Sequence, residues 1–251
     1  MATLVTLGCS FTMGDGCYDL SLGDYENDYI SFRDKNMDNF LHNSIGSNIQ
    51  KYYGFKNFIN YGYGGSSNVS QYLKFFENLP DDDNVSILWQ LTFNERKFYL
   101  KNQRTMDGGT HMNWVIEYYK QKMVEYSMDE HQIRVDDISE YSLYINALNE
   151  FCKSKNWNLL VYSWQDGLDS MHKEKFSYLS DIIIPFKNPI DTFDKTLLSP
   201  LGDGHPNADG YKIISNKLVE TINKNNMKFG KFNEIPTNLK RADSKSQIFG
   251  Y

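Results

Sequence analysis

Two residues near opposite ends of the chain form a plausible nucleophile and base. Ser10 lies in Gly8-Cys9-Ser10-Phe11-Thr12, and His205 lies in Asp203-Gly204-His205-Pro206-Asn207. A serine hydroxyl attacks once a base removes its proton, and an imidazole near neutral pH is the usual base. Ser10 follows the apolar run Thr3–Leu7, which is predicted to be the first strand. His205 precedes Ala208–Asn223, where Tyr211, Ile214, Leu218 and Ile222 recur at helical spacing. The positive end of that helix disfavours imidazolium and keeps the ring a free base, while Asp203 opposes this and stabilises the cation once it forms.

Two further segments follow predicted strands. Asn60-Tyr61-Gly62-Tyr63-Gly64-Gly65-Ser66-Ser67 is rich in glycine, which lets backbone approach a substrate and aim an N–H at it. Thr92-Phe93-Asn94-Glu95-Arg96 carries a side-chain amide in Asn94 that can donate to a developing oxyanion. Taken singly, each segment has a plainer reading: an N-cap serine, a flexible turn, a turn asparagine, a structural histidine.

Taken in this order, the segments resemble the SGNH hydrolases, also called GDSL-like esterases and lipases. The family's blocks are a GDS(L) serine, an N-x-G-x-x-G glycine, a G-x-N-D asparagine and a D-x-x-H-P pair. The resemblance runs from about Thr3 to Asn225 and implies a three-layer α/β/α sandwich with a mainly parallel, flavodoxin-like sheet. It implies that Ser10 is the nucleophile and His205 the base. Ser10 N–H, Gly65 N–H and Asn94 would form the oxyanion hole. Asp203 or a backbone carbonyl would orient His205. Three departures stand out: Cys9 replaces the first-block aspartate, Thr92 and Glu95 replace the third-block glycine and aspartate, and Asp203 lies two residues before His205 rather than three.

The function this implies is hydrolysis of an ester, a carbohydrate O-acetyl or a short-chain acyl group, with no cofactor and no metal. Tyr63, Arg96 and Trp164 are the candidate substrate contacts. O-acyl transfer by the same residues is one alternative. A non-catalytic, flavodoxin-like module with a phosphate cradled after the first strand is another. A catalytically silent adhesin or assembly part is a third.

The elements that must position these residues alternate between strand and helix, as in an α/β sandwich. Strands are predicted at Thr3–Leu7, Phe58–Asn60, Val85–Leu91, Trp157–Tyr162 and Asp181–Pro185. Helices are predicted at Phe40–Tyr53, Asn68–Leu79, 114–127, 138–154 and Ala208–Asn223. Residues 18–40 and 99–113 read as loops. The first contains Tyr18, Tyr25, Tyr29, Phe32, Asp19, Asp24, Asp28 and Asp34, and is expected either to pack on its own aromatics or to border the site and disfavour anionic substrates. Residues 1–226 form the expected domain. Residues 227–251 read as a polar tail that wanders or packs on a neighbour, leaving room for a homo-oligomer.

Composition narrows the classes. Among 251 residues, 40% are hydrophobic and 15% aromatic, enough for a folded core. A net charge of -6 gives no basic footprint for nucleic acid. No run reaches the ~20 apolar residues of a membrane helix. Three cysteines at irregular spacing fit neither a disulfide framework nor a zinc site. The N-terminus lacks a basic leader segment, so a cytoplasmic location is expected. Richness in Asn, Lys, Tyr and Phe resembles bacteriophage and AT-rich bacterial proteins, which leaves a virus-encoded origin open.

Overall fold

Strand β1 (Ala2–Leu7) is buried along its whole length, so it needs a strand on each edge and a layer on each face. The computed structural model, which describes residues 2–23, 25–92, 98–101, 104–107, 130–164, 177–229 and 238–241, supplies both. β2 (Asn57–Asn60) pairs with one edge of β1 and β3 (Asn84–Leu91) with the other, both parallel. β4 (Phe98–Lys101) and β5 (Arg104–Asp107) form a separate antiparallel pair. β6 (Asn158–Ser163) pairs with β3, and β7 (Asn238–Arg241) with β2. The main sheet is therefore β6-β3-β1-β2-β7, all parallel. The chain leaves β1 toward β2 and then crosses to the opposite edge for β3. The crevice beyond the carboxyl ends of β1 and β3 is thus a topological switch point, where open α/β sheets bind ligands.

Side chains alternate between the two faces of the sheet. Leu4, Phe58, Leu88 and Leu160 pack with α4 (Ile45–Tyr53) and α7 (Ala208–Lys224), through Ile45, Ile49, Ile214, Leu218 and Ile222. Val5, Leu7, Ile87, Trp89 and Val161 pack with α5 (Asn68–Glu77) and α6 (Glu130–Ser154), through Phe75, Ile145 and Leu148. The result is the three-layer α/β/α sandwich expected from the sequence.

Several boundaries differ from the sequence reading, for local reasons. The helix predicted over Phe40–Tyr53 is broken at Ser44, whose extended backbone and hydroxyl cap α4 by accepting from Ser47 N at 3.1 Å. α3 (Met37–Asn43) precedes that break. Residues 18–40 are not one loop: they hold a 3-10 turn (Leu20–Leu22) and α2 (Tyr29–Lys35). Asp28 caps α2 and Asp19 caps the turn, so these aspartates serve the backbone. The hairpin β4–β5 occupies part of the expected 99–113 loop. The strand expected at Asp181–Pro185 shrinks to a single bridge between Val161 and Ile183: Phe186 N, the next donor in that register, turns back on the Ile184 carbonyl at 2.8 Å. The segment expected as a tail contributes Phe229, buried against Tyr53 and Phe55, and β7. The helix expected at 114–127 lies outside the described residues. Among the described residues no helix is long and apolar enough to cross a membrane.

One buried polar chain links the core to the loop after β1. Trp89 Nε1 donates to Gln71 Oε1 at 2.8 Å, Gln71 Nε2 to Ser66 Oγ at 2.9 Å, and Ser66 Oγ to the Gly8 carbonyl at 2.9 Å. Replacing Gln71 by Leu orphans Trp89 Nε1 and breaks this chain. The expected loss is about 1–3 kcal/mol, read as a lower thermal or denaturant midpoint. An unchanged midpoint would mean that the chain contributes nothing to stability.

Candidate active site

Ser10 opens α1 (Ser10–Met13), directly after β1. As the first residue of a helix, it has an N–H without an intrahelical acceptor. Its turn is fixed by buried polar groups. Asn60 Nδ2 donates to the Thr12 carbonyl at 3.1 Å, and Asn60 Oδ1 accepts from Gly62 N at 2.9 Å and from Thr6 Oγ1 at 3.1 Å. Gln90 Oε1 accepts from Thr12 Oγ1, and Cys9 Sγ lies 3.7 Å from it. Asn60 and Gln90 are both buried. One side chain from β2 and one from β3 thus clamp the helix that carries Ser10.

His205 arrives from the other end of the chain. Asn207 caps α7 by accepting from Asp209 N and Gly210 N, each at 3.1 Å. Ser199 N donates to the His205 carbonyl at 2.8 Å, and Asn207 N to the Leu197 carbonyl at 2.9 Å. So held, His205 Nε2 lies 2.9 Å from Ser10 Oγ. With the proton on Nδ1, Nε2 accepts the serine O–H. Nδ1 lies 3.3 Å from Asp203 Oδ2, within ion-pair distance but out of hydrogen-bond alignment. Asp203 Oδ1 also accepts from His205 N at 3.1 Å. Burial raises the Asp203 pKa, but the imidazole beside it and the hydrogen bond from His205 N outweigh it and hold the carboxyl below its usual value. The ordered proximity of hydroxyl, imidazole and carboxylate is the arrangement that converts a serine into a nucleophile.

The expected glycine also lies in this region. Gly65 has φ +76°, a left-handed conformation that favours glycine, and the space before its Cα is open. A Cβ placed on neighbouring Gly64 would lie 4.0 Å from Ser10 Cβ, so this backbone borders the nucleophile. Tyr63 is half-buried and has Lys74 Nζ over its ring, 4.6 Å from the centroid. Trp164 is buried; its ring stacks on Phe11 at 3.9 Å, and Phe11 lies 4.7 Å from the His205 ring. Phe11 is the half-exposed member, so Trp164 backs a wall that Phe11 presents. Asn94 and Arg96 lie outside the described residues, as does Asp24.

Sequence reasoning missed four contributors. Phe11 and Gln90 carry no motif signal. Arg33, on α2, lies where a Cβ placed on Gly64 would meet its Nη2 at 3.2 Å, and nothing in its sequence context marks it. Gly16 could have been suspected from Gly14-Asp15-Gly16. Its φ is +107°, and a Cβ there would meet the Pro206 carbonyl at 2.4 Å and His205 Cβ at 2.7 Å. The thiols are structural in character: burial pushes Cys152 up to about 12, and burial together with the Asp15 charge pushes Cys17 up to about 12. No cluster that could hold a metal occurs among the described residues.

Comparison with known proteins bears on the fold. No family model and no curated sequence matches the chain. A solved carbohydrate esterase is similar to 89% of this chain at 13% identity and TM-score 0.50, over 65% of its own length. A protein assigned to the G-D-S-L lipolytic family from Desulfitobacterium hafniense DCB-2 is similar over 88% of this chain and 99% of its own, at 12% identity and TM-score 0.47. An acetyl xylan esterase is similar over 88% and 99%, at 12% identity and TM-score 0.43. At these identities the likeness to the carbohydrate esterase shows a shared fold.

Two outcomes are expected. Gly16→Ala should push the His205 loop off Ser10. It should slow labelling of Ser10 by a small fluorophosphonate by more than about tenfold and cost at least the ~1–2 kcal/mol of a left-handed non-glycine residue. Unchanged labelling would show that the contact does not position His205. Between the ordinary thiol value and about 12, the native state keeps protons on Cys17 and Cys152 that the unfolded chain has lost. Stability should therefore fall as pH rises through that window. Iodoacetamide at pH 8 should alkylate these residues far more slowly in the native than in the unfolded chain, and equal rates would contradict it.

Proposed function

We propose that this protein is a serine esterase. The observation that carries the reading is the 2.9 Å contact between His205 Nε2 and Ser10 Oγ, with Asp203 at the far side of the imidazole. His205 Nε2 takes the Ser10 proton as Oγ bonds to the ester carbonyl carbon, and the carbonyl electron pair moves to its oxygen. Ser10 N–H and Gly65 N–H donate to that oxyanion, joined by the Asn94 amide. The oxyanion collapses and expels the alcohol, which takes the proton back from His205. Water repeats the sequence on the acyl-serine, releasing acid and free Ser10. Asp203 stabilises the transient imidazolium by its charge. Membership of the SGNH hydrolases is part of the proposal. It is supported by the order of the four segments and by the sandwich fold shared with a carbohydrate esterase. O-acetylated carbohydrates and short-chain esters are the proposed substrates, with Phe11 as the apolar wall. The phosphate-cradle alternative accounts for neither His205 nor Asp203.

A panel of p-nitrophenyl esters and acetylated sugars tests the reading. Wild type should hydrolyse members of it, and a fluorophosphonate should label wild type but not Ser10→Ala. His205→Ala should lose a factor on the order of 10³ or more in kcat/KM. Asn94→Ala should lose roughly 3 kcal/mol of transition-state stabilisation, mainly in kcat. Label on a cysteine, or full activity in Ser10→Ala, would refute the assignment.

A further inference from the structure

Among its described residues, the segment 18–40 brings a cation, Arg33, near the nucleophile. Arg33 lies in the last turn of α2. α2 is held by stacking of Phe32 on Tyr18, with ring centroids 5.4 Å apart, and Tyr18 OH donates to Asp15 Oδ1 at 2.5 Å. From this platform the Arg33 guanidinium extends toward the open side of Gly64. A Cβ placed on Gly64 would meet Arg33 Nη2 at 3.2 Å and Ser10 Cβ at 4.0 Å, so cation and nucleophile flank one point. Among the described residues the only hydrogen-bond acceptor of Nη2 is the Met13 thioether at 3.6 Å, a weak one. Arg33 Nε is buried with no hydrogen-bond partner, and no carboxylate pairs with Arg33 among the described residues. The residue as a whole is half-buried.

A guanidinium partly removed from water without a counter-ion is costly unless a ligand supplies the charge. Planar N–H donors of this kind match a carboxylate. Resting on the serine-esterase reading, we propose that Arg33 is a specificity residue, and that the ester cleaved at Ser10 bears a carboxylate within a few bonds of the scissile carbonyl. This reverses the preference expected from the acidic composition of 18–40. Asp19 and Asp28 cap backbone, and Arg33 is the charge beside Ser10.

Two matched pairs of esters test it. 4-Nitrophenyl hemisuccinate and its methyl ester place the carboxylate, or its neutral counterpart, on the acyl side. Acetoxyacetate and its methyl ester, followed by acetate release, place it on the alcohol side. Wild type should favour the anionic member of at least one pair by at least about tenfold in kcat/KM. Arg33→Gln should abolish that ratio, Arg33→Lys should keep part of it, and added salt should shrink it. No preference in wild type would overturn the proposal. So would an equal loss on both members of a pair in Arg33→Gln, since Arg33 would then act on the oxyanion or on the fold. Equilibrium binding of the same pairs to Ser10→Ala gives a readout that does not depend on turnover. If wild type cleaves no ester and Ser10 takes no label, the esterase reading fails. A binding preference lost in the Ser10→Ala, Arg33→Gln double variant would still uphold the role of Arg33, and equal binding would refute it.

Discussion

The site depends on docking the turn after α1 against the start of α7. The Tyr211 hydroxyl, fully buried, donates to the Asp15 carbonyl at 2.6 Å across 196 residues of sequence. Beside it, Gly16 lies so close to Pro206 and His205 that no Cβ fits. Tyr211 is one turn into α7, so this bond sets the depth at which the helix seats. Gly16 sets how near its leading loop can come. A methyl group inserted there must displace the carbonyl of Pro206 or the residue that faces Ser10. The 2.9 Å contact of His205 with Ser10 is therefore a consequence of how two distant chain segments pack, rather than of either loop alone.

Around that contact the molecule places polar side chains in a dry interior. Asn60, Gln71, Gln90 and Ser66 are all buried; Asn60 and Gln90 bind the α1 turn, Ser66 binds the loop that precedes it, and Gln71 holds Ser66. Each such bond adds only about 1 kcal/mol net, but losing one partner leaves the other unsatisfied at greater cost. The frame therefore fixes geometry more than it adds stability. Apolar packing of α4, α5, α6 and α7 on the sheet holds the frame in place.

The surroundings of Ser10 are asymmetric. Phe11, stacked on Trp164, lies on the His205 side, and the Arg33 guanidinium lies on the Gly64 side. An apolar wall and a cation near one nucleophile give the site two recognisable ends. The acidic side chains of residues 19 and 28 do not alter this, because they bind helix and turn N–H groups.

Much of the fold was legible because it rests on periodicity. Buried strands read as apolar runs, and α5 and α7 read as helical stripes. Ser10, His205, Asp203 and Gly65 were legible because their types and local contexts state a chemistry. Other features were not local properties. The break at Ser44 follows from its hydroxyl turning back on Ser47 N, an option its neighbours hide. Strand β7 exists through pairing with β2, a partner far away in the chain. Trp164 looked like a free contact until Phe11 covered it. Gly16 and Arg33 acquire meaning only from what faces them, the His205 loop in one case and Gly64 beside Ser10 in the other. The sequence by itself determined which groups are chemically equipped for a shared site. Tertiary packing decided which of them meet, because distance between side chains is set by burial and hydrogen bonding across the whole chain.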